Sequence, residues 1–143
     1  MSPQEIPTVG IVVFDGDQVL LVRHGEAAGH LTDTYGLPAG RIELNETAKG
    51  AAKRELLEET GLTAEDFTEL PERYRAEIER KDGSTALFVW TVFWAQRYSG
   101  ELRESAETRP EWVGVSDLAQ YNLLPNVANA IKQTTDFKNE KEK

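Results

Sequence analysis

The sequence predicts a mixed α/β (α+β) domain, and three observations carry the prediction. Short apolar, β-branched runs recur along the chain; one glutamate-rich helical segment stands among them; a second helical segment closes the chain. A length of 143 residues fits one domain, residues 1–143. Its ordered core is expected over about 5–135, with a frayed tail over 136–143.

Thr8 to Phe14 is apolar and β-branched and predicts a strand; Asp15-Gly16-Asp17 turns the chain into a second strand, Gln18 to Arg23. His24 to Asp33 is polar and contains glycine, which predicts a loop. Tyr35 to Ala39 is short and ends in Pro38-Ala39-Gly40, a run that breaks regular structure. Thr47 to Thr60 predicts a helix, ended by Gly61. Glu69 to Arg80 mixes alternation with charge, as a solvent-facing strand does, and Lys81-Asp82-Gly83 turns it. Ala86 to Gln96, rich in Val, Phe and Trp, is the strongest strand signal. Tyr98 to Pro110 predicts an acidic loop, Glu111 to Val115 a short strand, and Pro125 to Gln133 a closing helix.

Composition excludes several function classes. The chain has no cysteine, so disulfides, thiolate metal sites and a cysteine nucleophile are out, which suits a cytoplasmic protein. Met1 to Pro7 has no basic segment followed by an apolar run, so no secretory signal is expected there. The apolar stretch Ser84 to Gln96 is too short to span a bilayer, so no membrane partner is expected. A net charge of −9 argues against a nucleic-acid polymer as partner, because such binding needs a basic surface. A small anionic ligand remains compatible if it arrives with cations or meets local Arg and Lys.

The glutamate-rich helix is unusual as physics. Glu55, Glu58 and Glu59 stand three and four residues apart, within roughly one-third of the helix circumference. Like charges at that spacing cost about 0.2–0.5 kcal/mol per pair, and the helix dipole disfavours anions in the last turns. Ala48, Ala51, Ala52 and Leu56 define an apolar stripe, and Glu55 and Glu59 fall on that same stripe. A solvated helix would carry its glutamates on the far side. Small alanines let the helix approach a sheet, with carboxylates emerging where the contact opens. A hard divalent cation reverses the sign of their repulsion.

The surrounding residues read GRIELNETAKGAAKRELLEETGL. This run resembles the Nudix box, G-x5-E-x7-R-E-U-x-E-E-x-G-U with U aliphatic. Gly40, Glu46, Arg54, Glu55, Leu56, Glu58, Glu59, Gly61 and Leu62 match every defined position. A chance match in a chain this long is on the order of 10^-7 or rarer. The resemblance implies an α/β/α sandwich around a mixed sheet, with the box helix at about 47–60 and the last helix at about 125–133. It implies hydrolysis of a nucleoside diphosphate linked to a group X, by in-line attack of water at phosphorus. The nearest expectation is a nucleoside triphosphate; ADP-ribose or another nucleotide sugar is the alternative, and a nucleotide sensor without catalysis is the alternative of another class. It implies Mg2+, with Mn2+ as substitute, held by Glu55, Glu58, Glu59 and the Gly40 carbonyl. Arg54 would orient a glutamate by a charge-assisted hydrogen bond. Glu43 and Glu46 would act behind the metal ligands, and Leu56 and Leu62 belong to the core. The proton acceptor would be Glu55, or a later loop acid, Glu107 before Glu104. Many relatives dimerise, so a homodimer is compatible, with Ala86 to Trp94 as core or interface.

Recognition of X falls to Arg23, Tyr35 and Arg41 as candidate substrate contacts, with His24 a weaker one. His24 and His30 are too isolated for a metal site. Phe88, Trp90 and Trp94 share one strand face by period-two alternation, placed for core packing or for stacking on a base. Asn126 stands at a helix start, where capping is its default role and reading a base edge the alternative.

Overall fold

The first strand, β1 (Glu5–Asp15), is the axis of the fold because it is apolar on both faces. The computed structural model describes residues 4–24, 33–79, 82–105 and 108–142. Val9, Ile11 and Val13 point to one side of β1 and Val12 to the other, all fully buried. A strand buried on both faces needs a layer on each, and two helices supply them. The first, α1 (Ala48–Thr60), packs on the Val9–Ile11–Val13 side; the second, α2 (Val127–Lys141), packs on the Val12 side.

The sheet is mixed. β1 runs parallel to β6 (Thr85–Gly100), in register from Glu5 opposite Leu87 to Val13 opposite Ala95. On its other edge β1 pairs antiparallel with β4 (Ala39–Arg41), then with β2 (Gln18–His24) near its end. β2 also pairs with β3 (Tyr35–Gly36) and β7 (Thr108–Gly114), and β5 (Leu62–Glu79) runs antiparallel to β6 as a long hairpin. A short 3-10 helix, Val115–Gln120, follows β7. The layering is the α/β/α sandwich expected from the box.

Three expectations about elements need correction. β5 begins at Leu62, not near Glu69. Glu65 and Asp66 interrupt the apolar alternation, yet Leu62 and Phe67 are buried against the α1 layer, and Arg97 of β6 pairs with both acids. The register shifts between Glu69 and Arg73, around Pro71, a residue unable to donate to the ladder. β6 and β7 likewise extend into the expected loop, leaving a shorter connection between them.

The tail expected to fray is helical through Lys141. Phe137 explains this: its ring meets Trp94 edge-on at 6.2 Å and packs on the second core. Lys138 lies over Phe14 and Lys141 over Phe137, both at the helix end where cations are favoured. Among the described residues, no helix is long and apolar enough to cross a membrane.

Candidate active site

α1 reaches the sheet because its inward residues are small. Ala51 and Ala52 are fully buried, with Leu56 and Thr60 one and two turns on. Thr47 starts the helix by accepting from the Gly50 amide at 3.0 Å. Gly61 ends it in the left-handed region, φ 86°, and donates to the Leu57 carbonyl.

The close approach brings the box glutamates against β4 and the loop after it, with Arg54 at the centre. Its Nε and Nη2 donate to both oxygens of Glu46 at 2.7 and 2.8 Å, a bidentate pair. Its Nη1 donates to Glu55 at 2.6 Å and to Glu58 at 3.3 Å, and Nη2 also donates to the Arg41 carbonyl at 2.9 Å. Glu43 stands 3.8 Å from the guanidinium. Glu46 also accepts from the Glu43 amide, so one carboxylate ties Arg54 to the loop. Those bonds hold the Glu46 carboxyl down at about 2, Arg54 being the larger cause. The same pairing pushes Arg54 further up from its already high value.

Glu55 behaves oppositely. Its side chain is only 13% exposed, and burial raises its pKa although Arg54 pulls it down. It lies directly against Gly40; a Cβ added at Gly40 would fall inside the Glu55 carboxyl group. Glu59 turns elsewhere and accepts from the Ala39 amide of β4 at 2.6 Å. Arg54 thus gathers Glu55 and Glu58 while β4 takes Glu59, and among the described residues no three carboxylates converge on one point.

On the other side of β4 lies a cavity of about 560 Å3. Phe88, Trp90 and Val92 of β6 and Thr8 and Gly10 of β1 floor it, and Leu124 to Val127 close it from the α2 side. The Phe88 and Trp90 rings stack on each other at 5.7 Å. Trp94, on the same face, is instead buried at 6% exposure. Ala39, Gly40 and Arg41 border the cavity, so β4 separates it from the glutamates.

Of the candidate substrate contacts, Arg41 borders the cavity. Arg23 and Tyr35 stand on the β2–β3 pair: Arg23 is paired with Asp33, and Tyr35 meets Tyr121 edge-on at 4.9 Å. Glu104 is exposed and paired with Arg109. Glu107, His30 and the His24 side chain lie outside the described residues.

Two polar residues that border the cavity were not among the candidate substrate contacts, although Asn126 had base reading as its alternative role. Tyr74 of β5 donates its hydroxyl to Gln133 of α2. Asn126 makes no side-chain cap; at φ 70° its amide swings across to donate to the Arg75 carbonyl at 3.0 Å. Its capping role is therefore corrected: the left-handed backbone aims the side chain at β5 rather than back at the helix.

The chain matches the NUDIX domain over residues 5–136. It is 30% identical to the 8-oxo-dGTP diphosphatase of Escherichia coli over 82% of this chain and 85% of the relative. It is 37% identical to the oxidized purine nucleoside triphosphate hydrolase of Danio rerio over 82% of this chain and 71% of the relative. Its fold is similar to the crystal structure of a MutT NUDIX hydrolase from Burkholderia pseudomallei, with a TM-score of 0.74, 27% identity, and coverage of 91% of this chain and 98% of the other. The chain therefore belongs to the Nudix hydrolase family and is an enzyme of its pyrophosphohydrolase class.

Proposed function

We propose that the enzyme hydrolyses nucleoside triphosphates, with purine triphosphates carrying an oxidised base as the first substrate class. The observation that carries this reading is the double role of β4. Its three residues border an apolar, aromatic-floored cavity on one side and contact the glutamate cluster on the other. A flat base fits the cavity, and the side-chain-free Gly40 lets a phosphate chain pass close to the carboxylates. The names of the two relatives support the purine choice.

Glu55, Glu58, Glu59 and the Gly40 carbonyl are the residues that would hold a divalent ion, Mg2+ or Mn2+. All four donors are oxygens, the set that hard divalent cations prefer, and the partly buried Glu55 carboxylate gains a counter-charge. When bound, such an ion supplies charge neutralisation at phosphate and activation of water. Holding it requires Glu58 to turn from Arg54 and Glu59 from the Ala39 amide. Arg54 keeps Glu55 oriented meanwhile, and Glu46 keeps Arg54 in place. Burial raises the pKa of Glu55, which suits a proton acceptor. Small nucleotides are the partners, and a cytoplasmic setting accords with a chain free of cysteine.

The test is a substrate panel with Mg2+ and Mn2+ in parallel: canonical and oxidised nucleoside triphosphates, ADP-ribose, and other nucleotide sugars. Turnover is expected on oxidised purine triphosphates, and Glu58→Gln or Glu59→Gln should lower it by about 10^2-fold or more. Preference for ADP-ribose overturns the substrate class. Tight binding without cleavage, metal present, favours a sensor. Unchanged turnover in both variants removes the metal assignment.

A further inference from the structure

An α-helix leaves its last four carbonyls without helical partners. In α1 these belong to Leu57, Glu58, Glu59 and Thr60. The Gly61 amide takes Leu57. Two others are met from outside the helix. The Arg103 amide donates to the Thr60 carbonyl at 2.9 Å, and the Thr108 hydroxyl donates to the Glu59 carbonyl at 3.4 Å. We infer that Thr108 is a positioning residue that sets the last turn of α1, and with it Glu59, for metal binding. This rests on the reading that Glu58 and Glu59 hold the ion.

Thr108 is buried at 7% exposure, at the first residue of β7. Its hydroxyl has one proton, and that proton goes to Glu59. Ser105, whose Oγ lies 2.8 Å from Thr108 Oγ1, is then the donor between the two hydroxyls. The Thr108 amide donates back to Ser105 Oγ at 3.1 Å, and the Ser105 amide donates to the Thr108 carbonyl at 3.0 Å. These bonds between Ser105 and Thr108 fix the rotamer that reaches Glu59, and aligned donors in series strengthen one another.

Glu59 is consequently held at both ends. β4 takes its carboxylate through the Ala39 amide, and β7 takes its carbonyl through Thr108. The two strands lie on different partners, β4 beside β1 and β7 beside β2. When the carboxylate turns from the Ala39 amide to hold the ion, the Thr108 bond to the Glu59 carbonyl stays in place, so β7 keeps the ligand's backbone fixed. The donated proton also meets the negative end of the helix, where Glu58 and Glu59 already concentrate charge.

The test compares Thr108→Val, which keeps the branched shape and loses the hydroxyl, with Thr108→Ser, which keeps it. Mn2+ binding is measured directly by the electron paramagnetic resonance of free Mn2+, without substrate, and the half-activating Mn2+ concentration is measured in turnover. Thr108→Val should weaken Mn2+ binding by about 2- to 10-fold, the scale of one neutral hydrogen bond, and raise the half-activating concentration equally. Thr108→Ser should restore both. If Thr108→Val does not fold, Ser105→Ala, at an exposed position, should shift Mn2+ binding in the same direction by less. Unshifted Mn2+ binding in a folded Thr108→Val, or in Ser105→Ala where that variant is needed, overturns the inference while Glu59→Gln still weakens binding. A wild-type protein that does not bind Mn2+ overturns the metal reading and this inference with it.

Discussion

The two sides of β4 are built on different principles. On the α1 side each functional atom has a named partner: Glu46 and Glu55 face Arg54, and Glu59 faces the Ala39 amide. On the α2 side the walls are mostly apolar, and Asn126 is held in place by the Arg75 carbonyl. Charge in a partly buried site must be compensated atom by atom, because an unpaired carboxylate there is expensive. An apolar wall is set by shape and tolerates exchange among side chains of similar volume. The chemistry of the Nudix box is therefore specified by few residues at fixed spacing. The cavity proposed to take the base is lined from β1, β4, β5, β6 and the start of α2.

The same substitution on each side gives the largest contrast. At Gly40 a new Cβ would occupy the Glu55 carboxyl, so Gly40→Ala must displace the glutamate or the strand. Turnover should fall by about 10^2-fold or more, with about 1–3 kcal/mol lost from stability by overpacking. At Gly10, on the cavity floor, a new Cβ would meet Leu37 at 3.4 Å and Trp90 at 3.8 Å, ordinary contact distances. Gly10→Ala should fold normally, leave kcat within about twofold and raise KM by crowding the cavity. Kinetics and urea denaturation of both variants decide the matter. If Gly40→Ala behaves like Gly10→Ala, β4 does not divide the two environments as described.

Asn126 tests the cavity side alone. Aspartate is nearly isosteric and tolerates the left-handed backbone at φ 70°, whereas alanine would add strain. Asn126→Asp removes the donor to Arg75 and sets a carboxylate against that carbonyl. KM for the best purine triphosphate should rise by about 10-fold, with kcat nearly unchanged, as expected for lost uniform binding. An effect on kcat with KM unchanged would place Asn126 with the chemistry instead.

How much of this was legible in the sequence follows the same division. The box helix was readable because its logic is local: Thr47 caps, Gly61 ends, and the alanine stripe carries Glu55 and Glu59 inward within one short segment. The cavity is not local. Tyr74 meets Gln133, and Asn126 meets Arg75, only because β5 and α2 come together in the fold, and no spacing records those meetings. Period-two alternation did put Phe88, Trp90 and Trp94 on one face. Which of them became core depended on α2, whose Phe137 covers Trp94, while Phe88 and Trp90 line the cavity nearer the start of that helix. The early part of β5 was hidden because Arg97, across the hairpin, neutralises the acids that disguised it.

The smallest effect separates two acids within the charged side. Glu46 is held down at about 2, against an ordinary 4.5, by Arg54 and the Glu43 amide. A depressed folded pKa means the unfolded chain takes up the proton first as pH falls. The contribution of Glu46 is therefore fully present above pH 4.5 and is lost as pH drops from 4.5 toward about 2. Glu55, raised by burial, has the opposite sign: its contribution is present below pH 4.5 and fades as pH rises through its elevated folded value. The two windows do not overlap, so each can be read separately. Urea denaturation from pH about 6 to about 2.5 should show the stability difference between wild type and Glu46→Gln constant above pH 4.5 and shrinking below it. Parallel profiles across that window would mean that Arg54 does not hold the proton off Glu46, and that the hub joining β4, the loop and α1 is weaker than its bidentate geometry indicates.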